Sequence, residues 1–312
     1  MDWKVELAVK DSIRDWSNQI VETKYKDTKI DINIDDLICK IHLQGEDVEE
    51  AFYLVWELLF LYDGYFYEPN FFCENDVTRN PKDLIRISLY STDSKWYSSA
   101  LLGRNNRDLS ENVIKQYSLF RNEGKSNHKM SKTLVNAFYY LHSSAYGQII
   151  ASHMLSLMLN IGDGFVNNVI KKTKSVKGSI DILFKRTIDR DRVKKGISLL
   201  GISSDEFTYN LAEERNEFDH YIYKDGSLFS YIANSSENKS KFITWYFIYT
   251  VELVIRICFL KNVGIEIEQE IKDYAMDQIV DWVIYENDLP EECSTPIYQI
   301  MQLERKIEQG KL

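Results

Sequence analysis

The chain has 312 residues, of which 44% are hydrophobic and 28% charged, and it contains only 13 glycines and 4 prolines. This composition excludes a disordered or low-complexity protein, and the length is enough for about two domains that each bury a core. A net charge of -10 argues against a protein that coats nucleic acid nonspecifically, although it leaves room for a local basic site.

The N-terminal third is predicted to be α+β. Alternating apolar and polar residues predict strands at residues 3–9, 29–34 and 84–90, and a more apolar run at residues 37–43 continues the pattern. Between them, DVEEAFYLVWELLFLYDG begins with acidic residues, carries apolar residues at helical spacing and ends at Gly64. We therefore expect a β-rich N-terminal domain with one helix packed on its sheet.

From about Leu109 onward, nearly every apolar segment has helical periodicity. Helices are predicted at residues 110–120, 131–159, 179–186, 205–218, 241–264, 267–287 and 297–309. The polar sequence GRNNRD, residues 103–108, marks the expected boundary. The chain is therefore divided into an α+β domain, residues 1–108, and an all-α helical bundle, residues 109–312.

The most apolar run, residues 242–263, is long enough to suggest a membrane span. It carries Glu252 and Arg256, which are costly in lipid but lie four residues apart and can pair on one helix, so a buried helix is the better interpretation. The charged opening segment MDWKVELAVKDSIRDW lacks the apolar core of a signal peptide. We expect a cytoplasmic protein without a membrane partner.

Familiar catalytic and metal-binding signatures are missing from the sequence. It contains no G-x-x-x-x-G-K-[ST], H-E-x-x-H or G-x-S-x-G motif. The cysteines are scattered without metal spacing: Cys39, Cys73, Cys258 and Cys293. We therefore expect free thiols and no metal or cofactor. The histidines are dispersed: His42, His128, His142, His153, His220. His142 and His153 lie in apolar helical stretches and are interpreted as packing residues.

The sequence RNEFDH, residues 215–220, combines side chains suited to phosphate binding and proton transfer. Arg215 and His220 are five apart and point about 140° away from each other on a helix, whereas Arg215 with Asp219 and Asn216 with His220 share a face. One interpretation is an ion pair and an amide contact at a helix end. The other is a site in which Asn216 orients His220, Arg215 binds phosphate and a second subunit supplies another copy.

A near-copy of this sequence, RNEGKSNH, occupies residues 121–128. Gly124 and the polar residues after it predict a loop between helices, so no amphipathic helix is expected to carry His128. We interpret this second arginine–histidine spacing as coincidental.

One segment is strongly basic in this acidic chain: residues 171–195 carry ten Lys and Arg against three Asp. It is interpreted either as a solvated loop and helix face or as a rim that follows a phosphate backbone. The candidate RNA-binding residues are Lys171, Lys172, Lys174, Lys185, Arg186, Arg192, Lys194 and Lys195.

The helix leading into RNEFDH and the long apolar helix after it resemble the HEPN superfamily, whose helical domains carry an R-N-x-x-x-H signature before the last long helix. The layout is most similar to ApeA-type HEPN proteins of prokaryotic anti-phage defence, with a β-rich region before the helices. The resemblance implies a HEPN-like bundle and a metal-independent endoribonuclease of a toxin or abortive-infection system. It also implies a homodimer with catalytic Arg215, Asn216 and His220 and an RNA substrate such as tRNA.

Other roles stay open. A HEPN-like bundle can serve as a non-catalytic dimerisation or nucleotide-sensing module, or as a subunit of a larger defence complex. The N-terminal domain is a candidate sensor of a phage-derived trigger or a contact for an antitoxin. Its aromatic sequence YFYEPNFF, residues 65–72, is interpreted either as part of such a sensor or as ordinary packing.

Overall fold

A computed structural model of the chain describes residues 1–8, 19–35, 38–64, 66–84, 109–123, 125–144, 151–188, 191, 193–194, 211–212, 215–216 and 237–286. These residues divide into two compact units. The first unit contains all the described strands and the first three helices. The second contains the later helices, including the long helix 237–262 as far as Phe259.

The first unit is built on a six-stranded antiparallel sheet with the order β2-β3-β4-β1-β5-β6. Its strands are β1 Asp2–Ala8, β2 Gln19–Tyr25, β3 Thr28–Asp35, β4 Ile38–Gln44, β5 Glu68–Glu74 and β6 Val77–Arg79. Ile41 lies opposite both Val5 and Ile32, and all three side chains are buried. The two-residue period thus places the apolar residues of the central strands on one face.

Helix α1, Val48–Asp63, covers strands β3 and β4 and is buried along nearly its whole length. It ends at Gly64, which adopts the left-handed conformation with φ 65° and donates its N–H to the carbonyl of Phe60. Phe60 stacks on Phe66 with 4.0 Å between ring centroids. The predicted α+β character and the helix packed on the sheet are confirmed.

The strands predicted at residues 3–9, 29–34 and 37–43 match β1, β3 and β4 to within a residue or two. Strands β2, β5 and β6 were not predicted. β2 is an edge strand whose Ile20 is 75% exposed, and Pro69 in β5 lies opposite Leu7, where the pairing register shifts. Of the strand predicted at residues 84–90, only Leu84 is described, and it follows a 3₁₀ turn, Pro81–Asp83.

The described helices after α1 are α2 Glu111–Asn122, α3 Lys125–Ser144, α4 Ala151–Phe165, α5 Val176–Thr187, α6 Glu237–Asn262 and α7 Gln269–Glu286. A π-helical turn, Val166–Ile170, extends α4. The segment predicted as one helix over residues 131–159 contains parts of α3 and α4, with residues 145–150 outside the described part. The helix predicted at residues 297–309 also lies outside it, and the all-α HEPN-like bundle stays a prediction.

The prediction of a loop for RNEGKSNH is wrong, because α3 begins at Lys125 and contains His128. The polar residues 125–129 form its first turn despite their weak helical periodicity. The predicted domain boundary lies among residues 101–108, outside the described residues, and stays a prediction. Helices α2 and α3, which that prediction assigned to the second domain, lie in the first unit and pack on α1.

The apolar run at residues 242–263 forms most of α6, and its predicted internal ion pair is confirmed. Arg256 Nε lies 3.5 Å from Glu252 Oε1, and both side chains are buried. Among the described helices, none combines the length and apolar character needed to cross a membrane. Cys39, Cys73 and Cys258 are buried free thiols.

A second buried charge cluster joins α1 and α2 in the first unit. Arg121 lies 3.6 Å from Glu57 and 3.3 Å from Glu50, and the hydroxyl of Tyr117 donates to Glu57 over 2.8 Å. Burial raises the pKa of Glu57, and the charge of Arg121 together with the Tyr117 hydrogen bond offsets part of that rise. Arg121, the arginine of the near-copy motif, is therefore a buried structural residue.

We expect Arg121→Met to destabilise the protein by about 3–5 kcal/mol near neutral pH, because it leaves the Glu57 carboxylate buried without its nearest cation. In acid Glu57 is neutral in both proteins, so the difference in unfolding free energy is smallest there. Loss of Arg121 raises the folded-state pKa of Glu57 further. The destabilisation therefore grows as the pH rises from the folded-state pKa of Glu57 in the wild type to the higher pKa in the variant.

Urea unfolding of both proteins between pH 4 and 8 measures this difference. Arg79→Met is the matched control, because Arg79 forms an exposed pair with Glu74 whose loss costs less than about 1 kcal/mol at any pH. Equal effects of the two substitutions, or a difference that does not change with pH, would contradict the buried cluster.

Candidate functional site

Helix α4 of the second unit has a core face and a polar face. On the core face, a Cβ at Gly162 would lie 3.0 Å from Leu183 of α5 and 3.2 Å from Ile255 of α6, so the glycine allows close packing of the three helices. The sequence GDG at residues 162–164, whose two glycines are typical of a turn, is part of this helix. On the polar face lie Asn160, Asp163 and Asn167, at the three- and four-residue spacing of one helical surface.

Asn160 holds the arginine of the RNEFDH motif. Arg215 Nε donates to Asn160 Oδ1 over 2.7 Å, and Arg215 Nη1 donates to Asn216 Oδ1 over 3.1 Å. Arg215 and Asn216 are both half-buried. These two hydrogen bonds use the fork of guanidinium donors and orient the group against α4.

The structure thus brings together two of the three predicted catalytic residues. Leu211, Ala212, Arg215 and Asn216 are helical, as predicted for residues 205–218, whereas His220 lies outside the described residues. The side-chain oxygen Oδ1 of Asn216 accepts from Arg215, an interaction that the predicted Asn216–His220 pairing did not anticipate. The orientation of His220 by Asn216 stays a prediction.

Sequence reasoning missed Asn160, which lies 55 residues before Arg215. A motif search compares residues that are close in the sequence, so it does not detect a partner on another helix. The available signal was an asparagine in the largely apolar stretch MLSLMLNIG at residues 154–162. Such a residue is enriched where a helix face meets another polar group.

A network of hydrogen bonds continues along the polar face of α4 beyond Asn160. Asn167 Nδ2 donates to Asp163 Oδ1 over 2.9 Å and to Ser179 Oγ over 3.2 Å, and Ser179 Oγ donates to Asp163 Oδ1 over 2.5 Å. Asn167 Oδ1 accepts from the backbone N–H of Thr173 over 2.8 Å. The network therefore joins α4 and the start of α5 to the segment between them. We call this segment, residues 171–175, the basic loop.

The basic residues predicted to bind RNA lie in two separate groups. Lys171, Lys172 and Lys174 are exposed in the basic loop, and Lys177 is exposed in the first turn of α5. Lys185 and Arg186 are exposed in the last turn of α5, where cations also interact favourably with the helix dipole. Lys194 is half-buried, and Arg192 and Lys195 lie outside the described residues.

Among the described residues, the histidine whose side chain is placed, His42, belongs to the sheet of the first unit. His42 Nε2 lies 3.0 Å from Asp2 Oδ1, and Gln44 donates to the second oxygen of the same carboxylate over 3.0 Å. These hydrogen bonds lower the pKa of Asp2, with the Gln44 bond contributing most. Within the described residues, no three His, Cys, Asp or Glu side chains are grouped so that they could hold a metal ion.

We expect Asn160→Ala to release the Arg215 Nε–H, because its 2.7 Å acceptor is lost. A hydrogen bond from a charged donor contributes about 1.5–3 kcal/mol, so exchange of that proton with solvent should accelerate about tenfold or more. NMR of the arginine Nε–H groups measures the exchange, and Arg215→Lys identifies the resonance. Asn168→Ala is the matched control, since Asn168 bonds only within α4 to the Gly164 carbonyl. An unchanged exchange rate in Asn160→Ala would contradict the contact.

No family model, curated protein or solved structure matches the chain.

Proposed function

We propose that the protein is a metal-independent endoribonuclease in which Arg215 binds the scissile phosphate and His220 transfers protons. The observation that supports this proposal best is the fixed orientation of Arg215 by Asn160 on α4 and by Asn216. An arginine is always charged, and a guanidinium that is already oriented can stabilise the negative charge of the transition state. A surface arginine with a mobile side chain would first have to be ordered by its ligand.

The residue types match the chemistry of RNA cleavage without a metal. The 2′-OH loses a proton and attacks the adjacent phosphorus, the bond to the 5′-oxygen breaks, and that oxygen gains a proton. The products are a 2′,3′-cyclic phosphate and a free 5′-OH. Histidine can accept or donate a proton near neutral pH, and the forked guanidinium stabilises the additional negative charge on the phosphate oxygens.

A homodimer is part of this proposal, because one histidine cannot readily act as base and acid in the same step. Two RNEFDH motifs facing a shared groove supply one histidine for each proton transfer. The two arginines then lie on either side of the scissile phosphate. The resemblance to defence-system HEPN proteins supports a role in which a trigger or antitoxin controls this activity, with RNA such as tRNA as the target.

The basic loop supports an RNA substrate over a small phosphate ester. Its three lysines are exposed in a chain of net charge -10, so they form a local positive region against an acidic average. A polyanion interacts with several such charges at once, and this makes its binding dependent on salt.

We expect the purified protein to cleave tRNA or total RNA in excess EDTA, and both His220→Ala and Arg215→Ala to reduce the rate. Loss of a proton-transfer group costs about 10²–10⁴-fold and loss of a group that stabilises the transition-state charge about 10²–10³-fold. Gel analysis with detection of the cyclic phosphate end measures both effects. His128→Ala, in the near-copy motif on α3, should leave the rate unchanged.

Cleavage that requires added Mg²⁺, or cleavage that survives both substitutions, would exclude this mechanism. Loss of activity in His128→Ala with RNEFDH intact would assign the chemistry to the other motif.

We also expect His220→Ala to act as a dominant inhibitor when it is mixed with the wild type. In a composite site, a large excess of the variant places nearly every wild-type protomer in a mixed dimer with one histidine. The activity per wild-type protomer, relative to the pure wild type, should then approach the fraction of wild-type protomers that are still paired with another wild-type protomer. Cleavage after subunit exchange measures this fraction, with sedimentation to follow the dimer. If the activity per wild-type protomer does not change, each protomer acts alone.

A further inference from the structure

We propose that Asn167 is a positioning residue for a phosphate-binding track that runs from Arg215 along the polar face of α4 to the basic loop. The ligand of this track is the phosphate backbone of single-stranded RNA. The inference rests on the proposed function, since it extends the binding surface of the same site. It adds a residue that neither touches the reacting atoms nor carries a charge.

The side chain of Asn167 links the three parts of the chain that meet at this point. Its Nδ2 donates to Asp163 and Ser179, and its Oδ1 accepts from the backbone N–H of Thr173 over 2.8 Å and from the Thr173 hydroxyl over 3.1 Å. Only an amide side chain offers donors and an acceptor in these positions. Aspartate would lose the donors and place a second carboxylate beside Asp163, and alanine would lose every contact.

The contacts of Thr173 fix the basic loop between Lys172 and Lys174. The Thr173 hydroxyl also lies 2.7 Å from Ser179 Oγ and 3.2 Å from the Ser175 carbonyl. At one end of the loop the Lys171 N–H donates to the Val166 carbonyl, and at the other Ser175 caps α5 by accepting from the Gly178 N–H. The lysine backbone positions are therefore fixed, while their side chains reach solvent.

The same face of α4 carries both anchors. Asn160, which holds Arg215, precedes Asn167 by seven residues, or about 10 Å along a helix. A single strand of a few nucleotides is longer than this separation, so it is long enough to reach from one anchor to the other. Single-stranded nucleic acid is commonly bound where positive charges follow its backbone.

A purely structural role for the network leaves the lysines unexplained. Three of the five loop residues are exposed lysines. Neighbouring like charges repel one another, and binding of a polyanion relieves that repulsion. An uncharged loop would satisfy the same hydrogen bonds, because these involve Asn167, Thr173 and Ser179 rather than the lysines.

The test measures binding of a short, fluorescently labelled 2′-O-methyl RNA, which cannot be cleaved by 2′-OH attack. Anisotropy titrations over a range of KCl concentrations give the slope of log affinity against log salt. Each lost lysine–phosphate contact on a single strand reduces that slope by about 0.7, so the triple variant Lys171→Ala/Lys172→Ala/Lys174→Ala should reduce it by about 2. Asn167→Ala should reduce it by about 0.7 or more although it removes no charge.

The combination of the substitutions separates positioning from general destabilisation. Added to the triple lysine variant, Asn167→Ala should weaken binding no further, because the residues through which it acts are already gone. Asn168→Ala is the matched control, since Asn168 is exposed and bonds only to the Gly164 carbonyl, and its slope should equal that of the wild type. If Asn167→Ala fails to fold, Thr173→Val replaces it, because it removes only the hydroxyl contacts of the loop.

An unchanged slope in a folded Asn167→Ala, additive losses in the combined variant, or a wild type that does not bind the RNA would overturn the inference. The outcome is independent of the cleavage experiment. If RNA binding depends on Asn167 but no RNA is cleaved, the nuclease proposal is refuted and the track is retained. If cleavage depends on Arg215 and His220 but the salt slope does not change in Asn167→Ala, the track is refuted and the nuclease proposal is retained.

Discussion

The hydrogen bond from Arg215 to Asn160 is the interaction on which the candidate site depends, because it gives a motif arginine a fixed position on another helix. Two other arginines of this chain show the contrast. Arg121 and Arg256 are fully buried beside glutamates, where the opposite charge is needed to compensate for the loss of water. Arg215 differs from both, because it is only half-buried and donates to two amide oxygens, one of them on another helix.

The two copies of the sequence RNE show why spacing alone does not identify a site. Arg121 ends an amphipathic helix whose buried face is directed to α1, and its position is determined by Glu57 and Tyr117. Arg215 follows Leu211 and Ala212, which are buried, by four and three residues, yet it remains half-buried itself. The two arginines differ in the side chains that other helices place beside them, a glutamate of α1 for Arg121 and an asparagine of α4 for Arg215. Those side chains lie far from the motif in the sequence.

Periodicity predicted the elements whose burial is simplest. β1, β3 and β4 are central strands whose residues alternate clearly, β3 and β4 lie against α1, and α1 is nearly all apolar. In the edge strand β2, the exposed Ile20 precedes the buried Val21 and interrupts the alternation, and β5 contains Pro69 at a register shift. The motif singled out Arg215 and Asn216, whereas Asn160 and Asn167 depend on contacts between helices that no local pattern contains. The loop prediction for RNEGKSNH was wrong because polar residues with weak periodicity can still form the first turn of a helix.

The polar face of α4 can be specialised because its other face is constrained by packing. Gly162 lets α4 approach Leu183 and Ile255 closely, which fixes the rotation of the helix about its axis. Asn160, Asp163 and Asn167 lie on a different side of α4 from Gly162, where Asp163 and Asn167 also bond Ser179 of α5. The π-helical turn at Val166–Ile170 changes the helical period where Asn167 contacts Thr173 and Ser179. Packing on one side of α4 and hydrogen bonds on the other thus hold the arginine anchor and the lysine loop on one helix, although the net charge of the chain is negative.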